Sequence, residues 1–173
     1  MFSTIYLPNF YLQAALRHQP ELQAEPVALI DDEATKATIL QLNSPAEALG
    51  VRCGMAPSQG LARCLRLIVK MRERAQEKLL NDIVLQFAFT LAPFVEATAP
   101  GICTIEFTDD RNLHRKVTRV IEQLAETEIT ARAGIAQTPD TSRLAAHLAR
   151  PVLQVGDVDT FLASLPIETL AIV

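Results

Sequence analysis

The stretch Asn43-Ser44-Pro45-Ala46-Glu47-Ala48-Leu49-Gly50-Val51-Arg52-Cys53-Gly54-Met55 decides how this chain is read. Ser44 followed by Pro45 predicts an N-cap with proline in the first helical position, and Gly50 predicts the C′ residue that closes the same helix. Gly54 predicts a turn, because a residue without Cβ takes backbone conformations that others avoid. A second small helix is expected from Pro57 to Cys64, after which Leu67 to Lys70 returns as a strand. Upstream, Pro26 to Asp31 and Ala37 to Leu42 are short strand candidates around an Asp31-Asp32-Glu33 turn. Residues 20–71 therefore read as one small compact region.

The flanks have longer periods. Ser3 to Leu7 reads as a buried strand, and Asn9 as the cap of a short helix through Arg17 that Pro20 ends. Beyond the compact region, Leu79, Leu80, Ile83, Val84, Phe87 and Leu91 recur at helical spacing, which predicts one amphipathic helix from Arg72 to Leu91 before Pro93. Two strands follow, Phe94 to Thr98 and Ile102 to Phe107, with Pro100-Gly101 as a hairpin turn. Leu113, Val117, Val120, Ile121 and Leu124 mark a second long helix, and Thr130 to Ala136 a closing strand. With residues 20–71 set aside, the order is strand, helix, strand, strand, helix, strand. This predicts an α/β (α+β) fold with a ferredoxin-like βαββαβ core. A helix opened by Thr138-Pro139-Asp140, a strand at Val152 to Val155 and a helix from Asp157 to Leu165 complete the reading.

At 173 residues, 49% hydrophobic and 21% charged, the chain has the composition of a soluble globular protein. No apolar run approaches the ~20 residues that span a bilayer, and Met1 to Pro8 has no basic leader, so the expectation is cytoplasmic, with no membrane partner. Cys53, Cys64 and Cys103 are widely spaced, which predicts three free thiols, two packed in the small region and one in a strand. The formal charge of -4 argues against indiscriminate coating of DNA. Between residues 52 and 78, however, Arg52, Arg63, Arg66, Lys70, Arg72, Arg74 and Lys78 outnumber Glu73 and Glu77, a local balance of +5. That run reads either as a face toward nucleic acid or as a solvated helix surface with internal pairing.

Asn43 to Met55, Leu61-Ala62-Arg63-Cys64, Val95-Glu96, Gly134-Ile135-Ala136, Leu144-Ala145, Ala149-Arg150-Pro151 and Leu165-Pro166-Ile167 with Leu170 share one property. In order and spacing the set resembles the N-terminal region of Y-family (UmuC/DinB-like) lesion-bypass DNA polymerases over nearly the whole chain. The resemblance implies a palm made of residues 1–19 and 72–173 with a fingers insertion at 20–71. It also implies a thumb and a little finger beyond Val173, which these residues do not contain.

In that family, metal-binding carboxylates hold two cations about 4 Å apart for phosphoryl transfer. The resemblance puts their positions at Tyr6, Pro8, Gly101 and Ile102, none of which is a carboxylate. Residues that grip the incoming triphosphate fall on Ser44, Glu47 and Pro139, and glutamate repels a phosphate that arginine would attract. The chain is thus expected to bind no metal or cofactor and to be no enzyme, closest to the catalytically inactive ImuB-type mutagenesis accessory proteins. Tyr11 falls where the family excludes a ribose hydroxyl, or else is a plain residue of a helix start. Candidate DNA contacts implied by the resemblance are Arg52, Cys53, Gly54, Arg143 and Arg150.

Glu96, Glu106, Asp109 and Asp110 lie in or beside the hairpin and are the residues a relocated metal site would use. Asp109-Asp110 also reads as the cap and first-turn charge of the next helix. His18, His114 and His147 read as ordinary helix residues, and Gln86-Phe87-Ala88-Phe89 as core packing rather than a clamp-binding peptide. The leading functional expectation is an accessory or scaffold in damage-induced mutagenesis that recognises primer-template DNA. An active partner polymerase, a sliding clamp and a RecA-like accessory protein are the partners implied by the resemblance. The alternatives are a nucleotidyltransferase with a migrated metal site and a pure protein-interaction module.

Overall fold

The computed structural model describes residues 1–31, 37–109 and 111–172. It divides into two compact units, Met1–Pro8 with Asn81–Val173, and Asn9–Leu80. Each is organised around its own sheet.

The larger unit contains β1 (Phe2–Tyr6), β5 (Phe94–Ala99), β6 (Ile102–Glu106), α5 (Leu113–Glu126), β7 (Arg132–Ala136), α6 (Pro139–Leu148), β8 (Val152–Gln154) and α7 (Val158–Ala163). Its sheet has the order β5-β6-β1-β7-β8. Strand β1 runs antiparallel to both neighbours, with Tyr6 opposite Ile102 on one side and Arg132 on the other. Strand side chains alternate between faces, so Ile5, Ile105 and Ile135 fall on one side, each fully buried. Thr4 and Gly134 fall on the other, where α6 lies. Ser142 of α6 reaches Thr4 across 2.7 Å between hydroxyl oxygens. Helix α5 buries Leu113, Val117, Val120, Ile121 and Leu124, the stripe its spacing predicts. Pro100-Gly101 forms the β5–β6 turn, with Gly101 at φ 73°.

The smaller unit is built on the order β3-β2-β4, from β2 (Val27–Ile30), β3 (Ile39–Leu42) and β4 (Ile68–Met71). Strand β2 reads Val-Ala-Leu-Ile without polar alternation because both its faces are covered. Ala28 packs with Ile39, Ala46, Val51, Cys64 and Leu67, beside α2 (Ser44–Ala48) and α3 (Pro57–Arg63). Val27 and Leu29 pack with Leu12, Ala15 and Leu16 of α1 (Phe10–Leu16). This packing moves the unit boundaries expected at 19/20 and 71/72 to 8/9 and 80/81. Helix α1 belongs with the inserted unit, and the second boundary falls inside α4 (Arg74–Phe89). Helix α4 buries Leu80, Val84 and Ala88 but leaves Leu79 exposed, which narrows the expected stripe.

Several local expectations are corrected. The cap of α2 is Asn43, not Ser44: its Oδ1 accepts from Ala46 N and from Val27 N, and its Nδ2 donates to Glu25 O at 2.7 Å. Gly50 does take the C′ place, with φ 85°. The residue before α5 is Asn112, while Asp109 Oδ1 accepts from Arg111 N and so closes a turn instead of capping the helix. Cys53 is exposed; only Cys64 and Cys103 are buried. The Asp31-Asp32-Glu33 turn lies partly outside the described residues, as does Asp110.

Asn43 bridges a helix start and a strand start at once, so its loss exceeds that of a simple cap. Asn43→Ala is expected to destabilise the chain by about 3 kcal/mol, one cap plus two further hydrogen bonds. Asn43→Asp keeps the acceptor and loses the donor, and should cost about a third as much. Urea unfolding of the three proteins checks this; equal midpoints for parent and Asn43→Ala would reject it.

Candidate functional site

The end of β1 brings together residues from the β5–β6 hairpin, α4, β7 and α6. Tyr6 stands opposite Ile102 in the register, and Leu7 N donates to Gly101 O at 2.9 Å. Asn81 Oδ1 accepts from Gly101 N. Tyr6 and Ile102, nearly a hundred residues apart in sequence, are therefore strand partners. Tyr6 also stacks on His147 of α6, with ring centroids 3.9 Å apart and 29° between planes. Arg132 Nη1 donates to His147 O at 3.2 Å. Burial, and then the charges of Arg143 and Arg132, hold the imidazole below its ordinary pKa. Burial raises the Tyr6 phenol, partly offset by Arg132. His147, read from sequence as an ordinary helix residue, is thus part of this site. The signal for it was its position one turn after Arg143 on α6.

The adjacent sheet surface forms an open groove of about 460 Å³ lined by residues that include Phe2, Glu96, Thr104, Glu106, Pro139 and Asp140. Glu96 lies opposite Thr104 and Glu106 opposite Phe2, so both carboxylates share the face of Thr4. Asp109 is spent on Arg111, whose bonds hold its carboxyl below the usual range. Glu96 and Glu106 are brought to one groove and Asp109 is not. Among the described residues no group of three His, Cys, Asp or Glu side chains is placed to hold a metal ion.

The smaller unit arranges its charges differently from a uniform basic face. Arg72 is nearly buried and makes a two-pronged bond to Glu77, at 2.8 and 2.6 Å. It also lies 3.9 Å over the ring of Tyr11 and reaches Asp31 at 3.4 Å. The Glu77 bond, above all, raises the Arg72 pKa further. Arg74 approaches Asp31 at 3.6 Å. Arg72 is therefore structural, which answers half of the ambiguity in the basic run. Arg52 is exposed, but its Nη1 donates to Glu47 O and Val51 O and so caps the end of α2. Gly54 has φ 82° and open space where a Cβ would stand, so its backbone conformation, not crowding, calls for glycine. Ser44, Glu47 and Cys53 are exposed, as is Arg150, whereas Arg143 is half-buried. Burial pushes the Cys103 thiol up to about 12, which keeps it inert. No helix among the described residues is long and apolar enough to cross a membrane.

Comparison with known proteins places this geometry. The model of the impB/mucB/samB family matches residues 5–147. DNA polymerase IV of Pectobacterium atrosepticum is 26% identical over 170 residues, covering 93% of this chain and 48% of that protein. DNA polymerase IV of Pseudomonas syringae pv. tomato is 26% identical over 171 residues, with the same coverage. The chain thus spans about half the length of the curated relatives it matches. Among solved structures, a post-insertion binary complex of Dbh DNA polymerase superposes with a TM-score of 0.86 at 17% identity, over 97% of this chain and 52% of that one. DinB from Sulfolobus solfataricus gives 0.83 at 17%, with the same coverage. At that identity the likeness is one of fold: palm and fingers.

These matches correct one expectation. The chain was expected to be no enzyme, whereas the relatives are named DNA polymerase IV and the structural neighbours are polymerase complexes. The physical reason is that four aligned positions speak only for where carboxylates are not. They do not test the reaction, and Glu96 and Glu106 stand on the same sheet face as Tyr6.

Proposed function

The chain belongs to the impB/mucB/samB family of Y-family polymerase domains, and from that premise we propose that it serves DNA damage tolerance by holding primer-template DNA. In this role it is an accessory and scaffold of translesion synthesis, working with a second polymerase, a sliding clamp and a RecA-like protein in the cytoplasm. The observation that supports it is that most of the described cations are left without a carboxylate, those at the proposed contacts among them. Arg52, Arg132, Arg143 and Arg150 take part in none of the ion pairs among the described residues, which involve Arg72, Arg74 and Arg111. Arg52, Cys53, Gly54, Arg143 and Arg150 are the proposed DNA contacts. On the same proposal Tyr6, Pro8, Gly101 and Ile102 occupy the family's carboxylate positions, and Ser44, Glu47 and Pro139 its triphosphate positions.

Few phosphates are neutralised at once by so small a set, so binding should be weak, with Kd about 10⁻⁵ M or poorer at physiological salt. The logarithm of affinity should fall with log salt by about 0.9 per phosphate contact, and Arg52→Glu should reduce that slope by about 1. Fluorescence anisotropy across a salt series reads both. Nanomolar, salt-insensitive binding contradicts the proposal, and an unchanged slope in Arg52→Glu takes the fingers out of the DNA path.

A second reading, nucleotidyl transfer by the chain itself, is favoured by Glu96 and Glu106 lining one groove. Primer extension with manganese tests it. Incorporation that disappears in Glu96→Gln and Glu106→Gln supports transfer through these carboxylates; incorporation that survives both variants removes them from the reaction.

A further inference from the structure

Tyr6, Arg132, Arg143 and His147 converge from β1, β7 and α6 with more hydrogen-bond donors than acceptors. Strand register sets Tyr6 beside Arg132, the ring stack ties Tyr6 to His147, and the bond from Arg132 Nη1 to His147 O ties β7 to α6. Arg143 lies one turn before His147 on α6. Two buried polar atoms here, Arg143 Nε and His147 Nε2, have no hydrogen-bond partner. Neither arginine has a carboxylate at ion-pair distance among the described residues. Of the segments that pack on α6, β1 and β8 carry no acidic residue. The turn Ile167–Ile172 contributes only Glu168, which is exposed, and Asp140 sits at the opposite end of α6.

Partly desolvated guanidinium groups with no counter-charge are costly, and the cost is removed by an anion that also satisfies their N–H groups. A planar guanidinium fork matches phosphate oxygens two at a time, while the phenol and the imidazole N–H can each donate once more. We propose that Tyr6, Arg132, Arg143 and His147 form a binding site for one phosphate group at the end of β1. The group is a DNA phosphodiester or free phosphate; only the first of these rests on the DNA-holding function above.

The imidazole of His147 reports occupancy directly. The 173-residue chain is titrated with inorganic phosphate and, separately, with primer-template DNA while the His147 ring resonances are followed by NMR. A saturable shift with phosphate is expected, weakened at least about tenfold in Arg143→Gln, the worth of one charge-assisted hydrogen bond. Arg143→Lys should recover part of the affinity, and Arg119→Gln, on the exposed face of α5, should retain all of it. A shift with DNA alone assigns the site to a phosphodiester. A shift with phosphate but no binding of DNA keeps the site and rejects the DNA-holding function. DNA binding with His147 unmoved by either probe keeps that function and overturns the site, and an unresponsive His147 in a chain that binds neither overturns both.

Discussion

Gly134→Ala is expected to destabilise the larger unit by at least about 4 kcal/mol, a change reserved for a few mechanisms. A Cβ at Gly134 would stand 2.1 Å from Ser142 O and 2.3 Å from Ala146 N. Both are backbone atoms of α6, so no rotamer change relieves the contact and the whole helix has to lift from β7. Ordinary overpacking by a methyl costs about 1–3 kcal/mol because side chains yield; here none is available to yield. Lifting α6 also breaks the Thr4–Ser142 contact and uncovers Ala145 and Ala146, which are fully buried. Circular dichroism during heating provides the check. Since a domain of this size loses roughly 2–4 °C per kcal/mol, a melting temperature within ~3 °C of the parent would falsify the close-approach argument.

Glu77→Ala is expected to cost about 3–5 kcal/mol, because it leaves the nearly buried Arg72 without its main partner. The side chains of Arg72 and Glu77 are only 11% and 10% exposed, so water does not replace the lost bonds. The double variant Arg72→Met with Glu77→Leu removes both charges and should be close to neutral, since a buried pair contributes little beyond an apolar pair of similar volume. Arg72→Met alone should fall with Glu77→Ala, because Glu77 is then buried unpaired and the Tyr11 ring loses its cation. Urea unfolding of the parent, Arg72→Met, Glu77→Leu and the double variant gives the coupling, with Glu77→Leu expected to fall like Glu77→Ala. If the two single changes simply add in the double variant, the pair is not the unit described above.

Most of the fold was legible because its signals are local. The spacing of Leu113, Val117, Val120, Ile121 and Leu124 set α5, and Pro100-Gly101 set the β5–β6 turn. What was misread needed tertiary information. Ser44 and Asn43 are both good caps by type, and the choice falls to Asn43 because Val27 N and Glu25 O are within reach of its amide. Leu12, Ala15 and Leu16 announced a buried face of α1, but not that β2 would cover it. The residues of the candidate site come together only through the tertiary fold. Tyr6 and Ile102 are far apart in sequence, and only the strand register sets them side by side. The one-turn spacing of His147 from Arg143 was visible in the sequence, but the ring packed on a strand far away in sequence was not. Whether the family's chemistry is retained was not readable from the residues at Tyr6, Pro8, Gly101 and Ile102, and the relatives' name, DNA polymerase IV, runs against the expectation of no enzyme.

The central place of β1 has a kinetic consequence. Thr4 lies 100 residues from Thr104 and 138 from Ser142, yet it contacts both. Every pairing β1 makes closes a long stretch of chain, an entropic cost that grows as (3/2)RT ln n and precedes any reward from packing. The smaller unit, complete within Asn9–Leu80, pairs its strands over far shorter spans. On the ribosome it has its whole sequence available before β6 and β7 emerge, while the residues of β1 wait unpaired. The central strand is thus made early and seated late, and the rate at which the larger sheet closes is set by the last partners to arrive.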